Sequence, residues 1–413
     1  MTDHRPNILL ITTDQQRWDT CGPDKQRILR TPHLDMLVAD GMTFNRAYAD
    51  CPICVPSRVA LMTGQTCFRH QMGLNQRTCR YFDEDGTLPT VLRAAGYQTA
   101  AFGKAHFDPQ YKSHGFECFE PLDEYYRWIA RHYGPEVQPR RHGLGENEPY
   151  PVKASCPENL TVTSWITERA TDWLSYRRDP TKPWFCWVSY SKPHAPLDPP
   201  EPYYSMYQQH TIPEPMRSDW SERDDAPEAV RMKRHGHGVI DMHPEHIRAM
   251  RAAYYGCISQ IDHGIGRIMG AVQDTGPHEL YSFKDNTLII FASDHGDMMG
   301  DHGMLSKGEM YEGSARIPFI VRAPCDRGER HRGERVNAIA TMADILPTTN
   351  PAKPTPGAGE PGSQVDPAFN HHWQFAPQGR LASDVRFHDT PQRSHTCRFP
   401  NMSTTGSSKM ACK

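Results

Sequence analysis

The chain has 413 residues, 46 Lys+Arg against 49 Asp+Glu, a formal net charge of −3 and 37% hydrophobic residues. A near-neutral balance argues against binding nucleic acid through a basic surface, and no apolar run approaches the ~18 residues that cross a bilayer. At ~150 residues per domain, the length allows two or three domains or one large α/β domain whose core needs no disulfide staples.

In chain order, Asn7 to Thr13 reads as a short buried strand running into Asp14. Its apolar stretch, Ile8 to Ile11, is too short for the core of a secretory signal, so the expected location is cytoplasmic. Residues 32 to 40 suit a helix capped by Thr31, and Met42 to Ala47 a second strand. Pro56 to Met62 suits a helix, with Pro in its first turn and Gly64 just past its end. Leu88 to Ala95 is a predicted helix stopped by Gly96; Tyr97 to Phe102 is a predicted strand. Thr161 to Arg177 has helical spacing, and Trp184 to Ser189 is an aromatic-rich strand. His246 to Val272 is a long helix, with Met250, Tyr254, Cys257, Ile261, Ile265 and Ile268 at three- and four-residue intervals. Asn286 to Ala292 and Ile317 to Val321 are two more strands.

Strand and helix alternate, which predicts an α/β fold: a mainly parallel central sheet flanked by helices. Polar residues recur just after the strands: Asp14, Lys104, His106, His194, Asp294 and His295. Ligands of open α/β sheets bind outside the carboxyl ends of the strands, so these six mark a candidate site. Residues 1–350 read as the catalytic domain. From Pro351 to Lys413 there is one Leu, two Val and no Ile, so 351–413 reads as a divergent Pro/Gly/Ser-rich tail that cannot bury enough apolar surface to fold tightly.

The twelve cysteines are scattered and do not form a disulfide framework. Cys51 and Cys54 have CxxC spacing without a second such pair, which speaks against a four-thiolate zinc site. A redox pair explains this spacing but leaves Pro56, Ser57 and Arg58 without a role. The strongest local signal is Cys54-Val55-Pro56-Ser57-Arg58, followed by Met62-Thr63-Gly64. It places a cysteine at a helix start, where free N–H groups favour an anion, and an arginine fork one turn in.

Cys-x-Pro-Ser-Arg with a downstream Thr-Gly resembles the signature of the formylglycine-dependent sulfatases, in the alkaline-phosphatase-like superfamily. The resemblance extends from Pro6-Asn7-Ile8-Leu9 to Asp344-Ile345-Leu346-Pro347-Thr348. It includes Gly103-Lys104-Ala105-His106, Lys192-Pro193-His194, Ser293-Asp294-His295-Gly296, Gly303 to Lys307 and Tyr311-Glu312-Gly313. It implies that Cys54 is oxidised to formylglycine (3-oxoalanine) by a maturation enzyme, and that the hydrated aldehyde attacks the sulfur of a sulfate monoester. The substrate would be a sulfated small molecule or saccharide. It also implies a divalent metal held by Asp14, Gln15, Asp294 and His295 with position 54. Lys104 and Lys307 would grip sulfate oxygens, His106 would act on the aldehyde hydrate, and His194 would protonate the leaving alcohol. Arg58 would complete the anion site.

Hard oxygen donors make Ca²⁺ the first expectation, with Mg²⁺ as an alternative. Many sulfatases carry two consecutive Asp where this chain has Asp14-Gln15, and Asp-Asn where it has Asp294-His295. The exchange moves preference towards Mn²⁺ or another transition metal. The same combination resembles phosphonate monoester and phosphodiester hydrolases of the superfamily. That leaves a rival with the same nucleophile, and a second rival in a silent homologue that binds anionic glycans. The family's C-terminal subdomain is expected to be reduced or divergent. Tyr125-Tyr126-Arg127-Trp128 reads equally well as a sugar-stacking platform and as a half-buried loop.

Overall fold

The computed structural model describes residues 5–75, 86–217, 223, 225–236, 239–274, 286–324 and 331–349. The segment read as a tail, 351–413, lies outside them. Eight strands form one sheet: β1 (Asn7–Asp14), β2 (Met42–Tyr48), β3 (Gln98–Gly103), β4 (Cys118–Pro121), β5 (Trp184–Pro193), β6 (Thr287–Ser293), β7 (Phe319–Arg322) and β8 (Glu334–Thr341). Their order is β4-β3-β5-β1-β6-β7-β2-β8. Seven run parallel to a neighbour, while β7 is antiparallel to both β6 and β2.

All eight residues of β1 are buried, which is why it reads as a continuous apolar run. Its alternate side chains serve two cores. Ile8 and Leu10 join Trp187, Ile290 and the helix residues Val55, Val59 and Leu61 on one face. Leu9 and Ile11 join Val188, Phe291, Trp165 and Ile166 on the other, where Ile261, Ile265 and Ile268 of the long helix Pro244–Asp274 also pack. The apolar three-and-four spacing of that helix is the face it turns to the sheet.

Two strands and several helices, Glu228–Gly236 among them, escape the sequence pattern. β4 has four residues, ends in proline and is only half buried. β8 is an edge strand whose residues are mostly exposed or half-buried, so it lacks an apolar signal. Leu122–Tyr133 is a helix that buries Tyr125 and Ile129, not a loop. The 32–40 helix forms as Pro32–Asp40, but Thr31 makes no side-chain cap to it. Asp262 of the long helix caps it instead, accepting the N–H groups of His33 at 3.2 Å and Leu34 at 2.7 Å. Sequence spacing favours a local cap; this one comes from 228 residues away. Among the described residues, no helix is long and apolar enough to cross a membrane.

Candidate active site

Four adjacent parallel strands, β3, β5, β1 and β6, end at Gly103, Pro193, Asp14 and Ser293. The polar residues that follow each strand therefore meet along one edge of the sheet. Facing them is the helix Cys54–Thr63, every residue of which is buried except Thr63. It starts at Cys54 because Ile53 is still extended. It stops at Gly64, whose left-handed φ of 64° a Cβ-bearing residue adopts only with strain. No side chain of its own caps the start; Asn75 Oδ1 accepts the Val55 N–H at 3.0 Å.

The Cys54 sulfur, 1% exposed, lies 3.2 Å from His295 Nε2 and 3.9 Å from Asp14 Oδ1. His295 Nε2 is 3.7 Å from Asp14 Oδ1 and 3.6 Å from Asp294 Oδ1. Its other ring nitrogen, Nδ1, is 2.9 Å from the Gly296 carbonyl, which can only accept. That contact places the proton on Nδ1 and leaves the Nε2 lone pair facing the cluster. Donor atoms of Asp14, Cys54, Asp294 and His295 all lie within 4.8 Å of one another, and all four residues are buried. Two carboxylates and an imidazole with a free inward lone pair fit a divalent metal.

The cations are arranged around this centre. Lys104 Nζ pairs with Asp14. Lys307 Nζ donates to Gln15 Oε1 at 2.6 Å and lies 2.7 Å from His194 Nε2. His194 Nδ1 is 3.0 Å from the Ala195 carbonyl, and the His194 N–H donates to the Asp14 carbonyl. His106 sits at a left-handed φ of 61°, and its Nδ1 is buried without a hydrogen-bond partner among the described residues. Burial opposes a charge on Cys54. Even so, the Lys104 ammonium and the His295 ring, with hydrogen bonds from His106 and His194, hold its thiol well below the ordinary range. Burial and the Cys54 sulfur push the Asp14 carboxyl up, but Lys104, His194 and Arg58 outweigh them and hold it well below the usual range. The site therefore stabilises negative charge at position 54 and beside it.

A family model for sulfatases matches residues 6–351. The chain belongs to the sulfatase family. It is 34% identical over 366 residues to an arylsulfatase of Clostridium perfringens, covering 83% of this chain and 74% of that protein. It is 30% identical to a multifunctional alkaline phosphatase superfamily protein of Trinickia caryophylli, covering 83% and 73%. Its fold matches a phosphonate monoester hydrolase of Agrobacterium radiobacter with a TM-score of 0.69, at 28% identity over 83% of this chain and 73% of that one. Membership makes it a hydrolase, and its mostly parallel sheet flanked by helices is the family's.

Two residues stand differently from the sequence expectation. Gln15 was placed among the metal donors, but its side-chain oxygen is turned to Lys307 and its Nε2 donates to Asp297 Oδ2 at 2.5 Å. Only its backbone N–H reaches the cluster, donating to Asp294 Oδ1 at 3.1 Å. Arg58 was read as a fork for the substrate anion. It is 1% exposed, and Nε donates to Asp294 Oδ2 at 2.8 Å while NH1 donates to Ser189 Oγ at 2.9 Å and to the Lys104 carbonyl. Nε and NH1 are thus engaged by the scaffold, while NH2 lies 3.5 Å from Asp14 Oδ2 and makes no hydrogen bond among the described residues. Of the CxxC pair, the Cys51 sulfur donates to the Gly73 carbonyl, 3.7 Å away, while the Cys54 sulfur faces His295 and Asp14.

The sequence names Ser57 only as part of the motif, and assigns no role to Ser189 or Asp297. Ser57 Oγ donates to the Asp294 carbonyl at 2.6 Å. Asp297 Oδ1 accepts the N–H groups of Met299 and Ser306, which shapes the loop leading to Lys307. The tight Asp294-His295-Gly296-Asp297 run was a signal for it. Outside the cluster lies a cavity of about 220 Å³, shared by Lys104, His106 and His194 with Tyr126, Arg140 and Glu146. Arg140 pairs with Glu146 at 2.7 Å and lies over the Tyr126 ring, 5.6 Å from its centroid.

Proposed function

We propose that this chain hydrolyses a sulfate monoester to an alcohol and inorganic sulfate, with formylglycine formed from Cys54 as nucleophile. The observation that carries this reading is the buried Cys54 at a helix start, ringed by Lys104, His106, His194 and His295 with two carboxylates behind it. A hydrated aldehyde at that position supplies a hydroxyl that attacks sulfur and a second hydroxyl whose deprotonation releases sulfate. Asp14, Asp294 and His295 would hold a divalent metal, which supplies electrostatic activation of that hydroxyl. With the Gln15 side chain turned away, the remaining donors are few for Ca²⁺ and include nitrogen, which favours Mn²⁺ over the Ca²⁺ expected first.

The chain's own groups do the rest. Lys104, just after β3, and Lys307, from the segment between β6 and β7, flank the centre and balance the charge of a bound monoanion. His106, which hydrogen-bonds the side chain at position 54, is placed to orient the hydrate or take its proton. His194, which lines the cavity, and Lys307, 2.7 Å from it, form the proton-donating pair for the leaving oxygen. The alcohol would occupy the 220 Å³ cavity, a volume suited to an aryl group or one sugar ring.

The rival is a phosphonate monoester or phosphodiester hydrolase using the same nucleophile. It is favoured by the phosphonate monoester hydrolase fold match and by the Gln15 and His295 positions. Purified metal-loaded protein assayed against an aryl sulfate, a phosphodiester and a phenylphosphonate ester separates them. The expected result is the highest kcat/KM on the sulfate; a higher value on the phosphonate would hand the assignment to the rival. On the same sample, the tryptic peptide Ala47 to Arg58 is expected to carry a hydrazide-reactive aldehyde at position 54. A fully alkylatable thiol there in active enzyme would end the formylglycine mechanism.

A further inference from the structure

The catalytic loop carrying Lys307 is held in an unusual way. Ser306 and Gly308, on either side of it, both have positive φ, 65° and 104°. Such backbone persists only where its surroundings hold it. The Ser306 N–H donates to Asp297 Oδ1 at 2.8 Å, its carbonyl accepts the Met298 N–H at 2.7 Å, and the Gly308 N–H donates to Ser314 Oγ at 3.1 Å. These partners come from the segments flanking β6 and preceding β7. One contact does not: the Lys307 carbonyl accepts from Lys233 Nζ.

Lys233 lies on the helix Glu228–Gly236, which buries none of its residues. An element without a buried face gains little from apolar packing. What joins it to this loop is polar: Lys233 to the Lys307 carbonyl, and Lys233 to the Glu309 carboxylate. The approach is close, since a Cβ on Gly308 would lie 3.3 Å from Lys233 Nζ. Glu309 Oε2 is buried and has no hydrogen-bond partner among the described residues, so Lys233 is its counter-charge.

We propose that Lys233 is a positioning residue for Lys307, acting in two ways. It clamps the Lys307 carbonyl, so that the side chain extends towards Gln15 and His194. It also neutralises Glu309, which otherwise stands two residues from Lys307 as a competing partner for its ammonium. Without Lys233, Glu309 draws Lys307 away from His194, and proton delivery to the leaving oxygen weakens. This rests on the reading of Lys307 and His194 as the proton-donating pair.

The test measures kcat and KM of metal-loaded enzyme on aryl esters of phenols of decreasing acidity, made as both sulfates and phenylphosphonates so that either substrate class serves. Lys233→Met keeps the side-chain length and removes the charge. It is expected to lower kcat about tenfold on the least acidic phenol and hardly at all on 4-nitrophenol, with KM nearly unchanged. Lys233→Arg is expected to restore most of the loss, and Lys233→Met with Glu309→Gln part of it. If Lys233→Met alone does not fold, the double variant, which leaves no unpaired carboxylate, carries the same comparison against Glu309→Gln. A loss equal across all phenols, or no loss while Lys307→Ala shows the leaving-group effect, overturns the proposal. If Lys307→Ala itself shows no leaving-group effect, the proton-donating pair is wrong and the role of Lys233 falls with it.

Discussion

Two regions of this molecule bury carboxylates and treat them in opposite ways. At the ends of β1 and β6, Asp14 and Asp294 lie among Arg58, Lys104 and His295, and Asp14 is held well below the usual carboxylate range. Between the long helix and the helix Pro32–Asp40, Asp262 has two backbone N–H groups and no paired cation of its own among the described contacts. Burial there outweighs the hydrogen bonds and pushes its carboxyl up to about 6. The difference teaches that burial alone does not make an anionic site. Surrounding cations do, and at the four strand ends they converge on a centre that also carries Cys54.

The largest test removes a carboxylate from the charged region. Asp294→Ala strips Arg58 of its 2.8 Å partner and the cluster of a donor. Activity is expected to fall below detection, metal content to drop with it, and urea unfolding to show a loss of about 3–5 kcal/mol, because the buried Arg58 guanidinium loses its nearest carboxylate. Retained metal and activity would remove Asp294 from the centre.

Next is a cation. Lys104→Ala removes the shorter of the two ion pairs of Asp14 and leaves the substrate without a gripping ammonium. The expected loss in kcat/KM is about 10²-fold on an aryl sulfate and clearly less on a phosphodiester, which presents one fewer terminal oxygen. Equal losses on both would show that Lys104 serves Asp14 alone.

Asp262 sharpens the comparison through pH. Its folded-state value, about 6, exceeds the unfolded one, so the folded state binds the proton more tightly. Its favourable contribution is present below pH ~4 and is lost as pH rises through ~6. Asp262→Asn cannot ionise. Relative to wild type, the variant is therefore expected to gain up to about 3 kcal/mol between pH 4 and pH 7 in urea unfolding, on top of a pH-independent cap loss of about 1 kcal/mol. A pH-independent difference would show that Asp262 ionises normally.

The smallest effect belongs to the cavity rim. The Arg140–Glu146 pair is 39% and 65% exposed, so Arg140→Ala is expected to change stability by less than about 0.5 kcal/mol. It should raise KM a few fold with kcat unchanged, because it touches the alcohol side of the cavity and not the reacting centre. A fall in kcat of the size seen for Lys104→Ala would place it in the chemistry.

Much of this was legible in the chain itself. The apolar runs of β1, β5 and β6 specify buried central strands. The polar residues following them must then gather at one edge, because parallel strands end on the same side. The Cys54 to Arg58 run, with Gly64 behind it, specifies where the motif helix starts and stops. Tertiary structure alone decided the rest. It turned Nε of Arg58 to Asp294, because a buried carboxylate needs a counter-charge. It turned the Gln15 amide to Lys307 and Asp297, gave the cap of the helix Pro32–Asp40 to Asp262, and set β8 on an edge where no apolar pattern is required. Each of these depends on partners far apart in sequence, so no local spacing encodes it.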